Sequence, residues 1–150
     1  MAMDVKVFLQ GIRDKRFELN LLRDKRNEIY YSLMPSGIRY DLDKVQTSPV
    51  DRMPAAAGDI DEVQKKIDAM IDSLSRDINL ALKLVNLMPE SKHRQLIMLR
   101  YFGVDRKTTE WKYVADVMGY TEEYVRGELH GEAIKEARQI WKSLHYLSEE

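Results

Sequence analysis

Apolar residues recur at alternating spacings of three and four along most of this chain, and the places where that rhythm breaks divide it. Val5, Phe8, Ile12, Leu19, Leu22, Ile29 and Leu33 predict one long amphipathic helix over residues 4–33. Lys15 and Arg26 occupy two positions of that seam, where apolar residues are the rule. Leu9, Phe17, Leu21 and Tyr30 lie off the main stripe, as expected for a second interface or for contact with the C-terminal part of the chain. Met34-Pro35-Ser36-Gly37 stops the helix. Residues 34–58 then lack sustained periodicity and hold three of the four prolines, which predicts a long connecting loop. Within it Lys44, Thr47, Ser48 and Arg52 can meet a partner or a phosphate, or simply cross the helices as a connector.

A second long helix is expected to start at Asp59-Ile60-Asp61-Glu62, whose acidic residues suit the positive end of a helix dipole. Ile60, Val63, Ile67, Met70, Ile71, Leu74, Ile78, Ala81, Leu84, Val85 and Met88 give it a broad apolar stripe. Pro89 ends it or opens the next helix. Two helices of this kind favour an antiparallel hairpin or a dimerising coiled coil, so a homodimer is one expectation.

After Pro89 the periodic segments shorten. Ser91 to Phe102 carries Leu96, Ile97, Leu99 and Tyr101, with Gly103 expected as its C-cap. A polar loop follows, and Thr109 is expected to cap a helix starting at Glu110 or Trp111. Trp111, Val114, Ala115 and Met118 form one stripe, Gly119 suits a C-cap, and Thr121 suits the N-cap of the next helix. That helix turns Val125, Leu129 and Ala133 inward and runs to about Leu147. Ile134, Ala137, Ile140, Trp141, Leu144 and Leu147 give its far half more apolar surface than a recognition helix needs, so it is expected to pack on the long N-terminal helices. Two short amphipathic helices joined by a Gly-containing turn outline a helix-turn-helix. The expected architecture is all-α: a two-helix arm over residues 1–88 and a helix-turn-helix module over residues 89–150.

Leu99-Arg100-Tyr101-Phe102, a short polar loop, Trp111, Val114-Ala115, Met118-Gly119-Tyr120-Thr121, Val125 and His130 together resemble region 4 of sigma-70-type factors. The likeness covers about the last third of the chain. The whole chain is also similar to small phage-encoded proteins of the ArpU/RinA-like group, regarded as late-gene transcriptional regulators. The segment Asp43-Lys44-Val45-Gln46-Thr47-Ser48-Pro49-Val50-Asp51, ahead of a long helix, carries the likeness to their N-terminal half. These resemblances imply a phage or prophage regulator that reads double-stranded DNA, alone as a dimer or together with host RNA polymerase. A protein adaptor on the same fold, or a packaging protein like a small terminase subunit, are the alternatives.

In a helix-turn-helix, base contacts come from the first turns of the second helix, on the side away from the core. With Val125 and Leu129 inward, the outward set is Glu122, Glu123, Arg126, Gly127 and His130, with Tyr124 at the side. Arg126 can donate two hydrogen bonds to a guanine, a glutamate can accept from cytosine N4, and Tyr124 can reach a phosphate or a thymine methyl. Thr121 offers the amides of a capped helix start to a phosphate. Arg106, Lys107 and Lys112 stand where the resemblance implies backbone contacts.

Charge changes this picture. The chain has a formal net charge of −1 and a pI near 6.3. Residues 89–150 alone hold ten Lys/Arg against eleven Asp/Glu. Phosphate contacts dominate DNA affinity, so a DNA-binding surface here has to be local, or gain from a dimer or from polymerase. Relatives of region 4 place Arg or Lys at several positions where this chain has Glu122, Glu123, Glu128 and Glu132. The tetrad Arg-Asp-Lys-Arg occurs at 13–16 and again at 23–26, out of phase around the helix. It reads as a solvated flank or as an auxiliary phosphate contact. Gly127 and Gly131 each cost a helix about 1 kcal/mol relative to alanine, which suggests close approach of another backbone or of DNA.

Little points to catalysis. His93, His130 and His145 have no metal-ligand spacing, and no glycine pattern suits a phosphate loop. No catalytic residue, metal or cofactor is expected. With no cysteine, disulfides and thiolate metal sites are excluded. The N-terminus lacks the apolar core of a signal peptide and no run of 18 apolar residues exists, so a protein of the bacterial cytoplasm, without a membrane partner, is expected.

Overall fold

The computed structural model describes residues 3–33 and 49–148, with side chains at 3–33 and 58–144. The fold is all-α, with no strand among the described residues. Helix α1 spans Val5–Ser32 and α2 spans Pro49–Leu87. Helix α3 (Ser91–Tyr101) follows, then a 3-10 turn (Lys107–Thr109) and α4 (Trp111–Met118). The last helix is continuous but built in three pieces: α5 (Glu122–Tyr124), a π-helical turn (Val125–Leu129) and α6 (His130–Ser148).

Helix α2 begins at Pro49, well upstream of the start expected at Asp59, so residues 49–58 are helical rather than loop. Proline fits the first helical position, where its missing N–H would be unpaired anyway, and Ala55-Ala56-Ala57 is among the strongest helix-favouring runs possible. The remainder of the expected loop, 34–48, lies outside the described residues, and so do Lys44, Thr47 and Ser48.

The chain packs as two compact units, residues 1–17 with 73–150, and residues 18–72. The division falls inside α1 and α2, not at Pro89, because the first turns of α1 belong to the same core as α6. Arg138 donates from Nε and Nη2 to the two carboxylate oxygens of Asp4 at 2.8 and 3.1 Å, and this pairing holds the Asp4 carboxyl below its ordinary range. Trp141 Nε1 donates to the Met3 carbonyl at 2.7 Å, and its ring stacks on Phe8 at 4.6 Å. Val5, Phe8, Leu9 and Ile12 are buried with Leu84, Val85 and Met88 of α2, Leu96 and Ile97 of α3, and Ala133, Ile134 and Ala137 of α6. Leu9, read from sequence as off the main stripe and meant for a second interface or for the C-terminal part of the chain, is fully buried. Val5, Phe8, Leu9 and Ile12 stand at spacings of three, one and three, so all four share one helical face about 100° wide, and Leu9 belongs to the stripe rather than beside it. Phe17, Leu21 and Tyr30 are exposed.

The polar seam positions have partners on α2. In the first unit Lys15 Nζ donates to Ser73 Oγ at 2.7 Å and pairs with Asp77. In the second unit, where Leu19 and Ile67 are buried, Arg26 donates to Gln64 Oε1 at 3.0 Å. Each charge in the seam is thus matched by a polar group at the facing level, which specifies register between the helices. Residues 88–90 link α2 to α3, and Arg94 closes the link by donating to the carbonyls of Met88 and Pro89 at 2.6 and 3.0 Å. His93 then ties α3 to α6, its Nδ1 lying 2.8 Å from Glu136 Oε2.

Candidate nucleic-acid interface

Helix α4 and the last helix form the turn that the sequence outlines. Val114 and Ala115 are buried, so α4 lies with one face on the core. Gly119 ends it at φ 79°, the left-handed region that glycine enters without strain. Its N–H and that of Tyr120 both reach the Ala115 carbonyl, at 2.9 and 3.1 Å, which closes the helix end. Two residues on, Thr121 is extended and its Oγ1 accepts the Tyr124 N–H at 3.3 Å. The next helix therefore starts with an N-cap, and Glu122 and Glu123 in its first turn suit the positive end of its dipole.

Glu122, Glu123, Arg126 and Gly127 are exposed together on this helix, as its pattern predicts. Arg126 lies 3.8 Å from Glu122 across one turn, a solvent-screened contact of little strength. Tyr124 is half-buried and meets Tyr120 edge-on at 5.3 Å. Lys107 and Lys112 are exposed. A Cβ built on Gly127 or Gly131 would meet nothing within 4 Å, so no described part of this chain requires either glycine.

His130 is not part of the outward face. It is 91% buried, its Nε2 hydrogen-bonded to the Tyr101 hydroxyl at 2.7 Å and its ring against the edge of Trp111 at 4.8 Å. The π-helical turn explains the change: one extra residue in the turn rotates all that follows, so Leu129 and His130 both face the core and Gly131 lies outside. Burial, with Lys6 and Arg100 nearby, lowers the imidazole to about 4. Arg100 lies over the Trp111 ring at 4.1 Å, so the two aromatic neighbours of His130 flank a charged residue as well.

Thr109 does not cap α4; Glu110 is the N-cap and makes no side-chain capping bond. Thr109 is instead a buried hub. Its Oγ1 donates to the Arg106 carbonyl at 2.8 Å and accepts from Arg13 Nε at 2.9 Å, while its carbonyl accepts from Arg100 at 2.7 Å. Gly103 serves this hub rather than the end of α3, whose C-cap is Phe102. A Cβ on Gly103 would stand 2.4 Å from Thr109 Cγ2, and that methyl is fixed by the hydroxyl's two bonds. Gly103→Ala is therefore expected to destabilise the fold by about 1–3 kcal/mol. Urea unfolding followed by circular dichroism measures this, and a loss below about 0.5 kcal/mol would show that the loop relaxes freely.

Arg106 stands apart from Arg126, beside α1, with its guanidinium over the Phe17 ring at 5.0 Å. Neither Arg13 nor Thr109 follows from local sequence pattern as a member of this region, since their contact joins residues 96 positions apart. Among the described residues no group of three His, Asp or Glu is placed to hold a metal, and no helix is long and apolar enough to cross a membrane. No protein-family model, curated protein or solved structure matches this chain.

Proposed function

We propose that this chain is a DNA-binding transcriptional regulator that sets the helix starting at Glu122 in a major groove. The observation that supports this best is the closed turn between α4 and α5. Its glycine end, threonine cap and exposed Glu122, Glu123, Arg126 and Gly127 form the arrangement through which helix-turn-helix proteins present side chains to base edges. The resemblance to sigma region 4 and to ArpU/RinA-like phage proteins points the same way. Arg126 is the base-reading residue, and Thr121, Lys107 and Lys112 meet the phosphate backbone. Action on a bacterial promoter, as a dimer or with RNA polymerase, follows from the same resemblance.

A salt series of binding titrations, against the gene's own upstream duplex and an unrelated one, tests the reading. Specific binding that weakens steeply with salt is the expected result. Arg126→Ala should weaken the specific complex about tenfold or more and the unrelated one little, since a bidentate guanine contact is worth about 1–3 kcal/mol of discrimination. Equal loss on both duplexes would move Arg126 to the phosphates. Absence of binding to either duplex at low salt would favour a protein adaptor, a reading that the acidic Glu122, Glu123, Glu128 and Glu132 support.

A further inference from the structure

The first Arg-Asp-Lys-Arg tetrad lies against the Gly103–Thr109 loop, and the two enclose a cavity of about 100 Å³. Arg13 and Arg16 of α1 and Arg106 of the loop line it, with the Phe17 ring beneath Arg106. Among the described residues none of these three arginines has a carboxylate within ion-pair distance. That is unusual in a chain of net charge −1, and more so because two carboxylates line the same cavity. Both are engaged elsewhere: Asp105 Oδ1 accepts the Thr108 N–H at 2.8 Å, and Asp14 Oδ1 accepts from Gln10 at 3.2 Å. Arg16 Nε is buried with no hydrogen-bond partner. A buried charged donor left without an acceptor is costly, and arginine's planar fork matches the paired oxygens of a phosphate as well as those of a carboxylate. The cavity has room for several water molecules, and so for one phosphate group with part of its shell.

We infer that this cavity is a phosphate-binding site, formed by Arg13, Arg16 and Arg106, distinct from the exposed face of the last helix. Arg13 is held in place by Thr109, and Arg106 by its stack on Phe17, so two of the three guanidinium groups are positioned before any ligand arrives. The ligand is a phosphate monoester, a diphosphate, or a phosphodiester of a nucleic-acid backbone; all three share the chemistry that the arginines recognise. The site does not depend on the proposed DNA reading, because the arginines and the cavity are independent of α5.

Inorganic phosphate and pyrophosphate, titrated into the full chain at low ionic strength and followed by the arginine Nε–Hε resonances, test the site directly. Saturable shifts for wild type, weakened at least tenfold in Arg16→Gln, are expected; among the described residues the Arg16 side chain has no hydrogen-bond partner, so this variant should unfold at the same urea concentration. Arg23→Gln, which removes one positive charge from the second tetrad, controls for net charge and should bind as wild type does. No saturable shift in wild type, or equal binding by Arg16→Gln, would overturn the proposal. A duplex titration separates the sources. Arg16→Gln lowering affinity for related and unrelated DNA alike, with a shallower salt dependence, identifies the phosphodiester backbone. Unchanged DNA binding beside lost pyrophosphate binding identifies a small phosphorylated ligand.

Discussion

Trp141→Ala is expected to cost about 3–5 kcal/mol, the range for removing a large aromatic side chain from a core. The side chain is 95% buried, stacks on Phe8 at 4.6 Å and donates to the Met3 carbonyl at 2.7 Å. Its loss therefore opens a cavity and also removes one tie between the start of α1 and α6, leaving the Arg138–Asp4 pair. Urea unfolding followed by circular dichroism at 222 nm measures the loss without relying on tryptophan emission. Trp141→Phe should recover most of the packing but not the bond to Met3, leaving an intermediate deficit. A change below about 1 kcal/mol for the alanine variant would mean that the start of α1 is held by its own apolar residues and the Arg138–Asp4 pair.

His130 should remain neutral in the folded protein well into the acid range. Its imidazole is lowered to about 4 chiefly by burial, whereas in the unfolded chain it takes the ordinary value of 6.5. Between those two values the unfolded state binds the proton and the folded state does not. The stability tied to this residue is thus complete above pH 6.5 and is lost as pH falls toward 4, by roughly 2–4 kcal/mol in all. Two measurements check it. The Hε1 resonance of His130 should hold its neutral position at pH 5, and the fall in unfolding free energy between pH 7 and pH 5 should be smaller in His130→Gln. A resonance that titrates near pH 6.5 would sink the prediction and return His130 to the surface, where it could reach a DNA base.

That residue also shows where sequence reading stops. Gly119 and Thr121 were legible because capping is local: a left-handed turn wants glycine, and a helix start wants a short hydroxyl side chain. The lysine and arginine in the seam of α1 were legible as exceptions, although their partners Asp77 and Gln64 were not. The outward set on the last helix was right for Glu122, Glu123, Arg126 and Gly127. It failed at His130 because regular helical spacing was continued through a turn that holds one more residue. Thr109 and Gly103 were read as caps by the same local rules that worked ten residues later. Here long-range contacts decided their roles: a bond from Arg13 for the first and the methyl of Thr109 for the second. Leu9 was set off the stripe because the seam was drawn one residue wide; four residues from Val5 and three from Ile12, it lies on the same face as both.

The bonds from Arg138 to Asp4 and from Trp141 to Met3 join residues 134 and 138 positions apart. On the ribosome the start of α1 is made long before these partners on α6. At synthesis rates of about 5–20 residues per second the α1 start waits several seconds with its apolar side uncovered. The first unit can close only once residues 138–141 have left the exit tunnel, so a nascent chain stalled before residue 138 should be a substrate for holding chaperones.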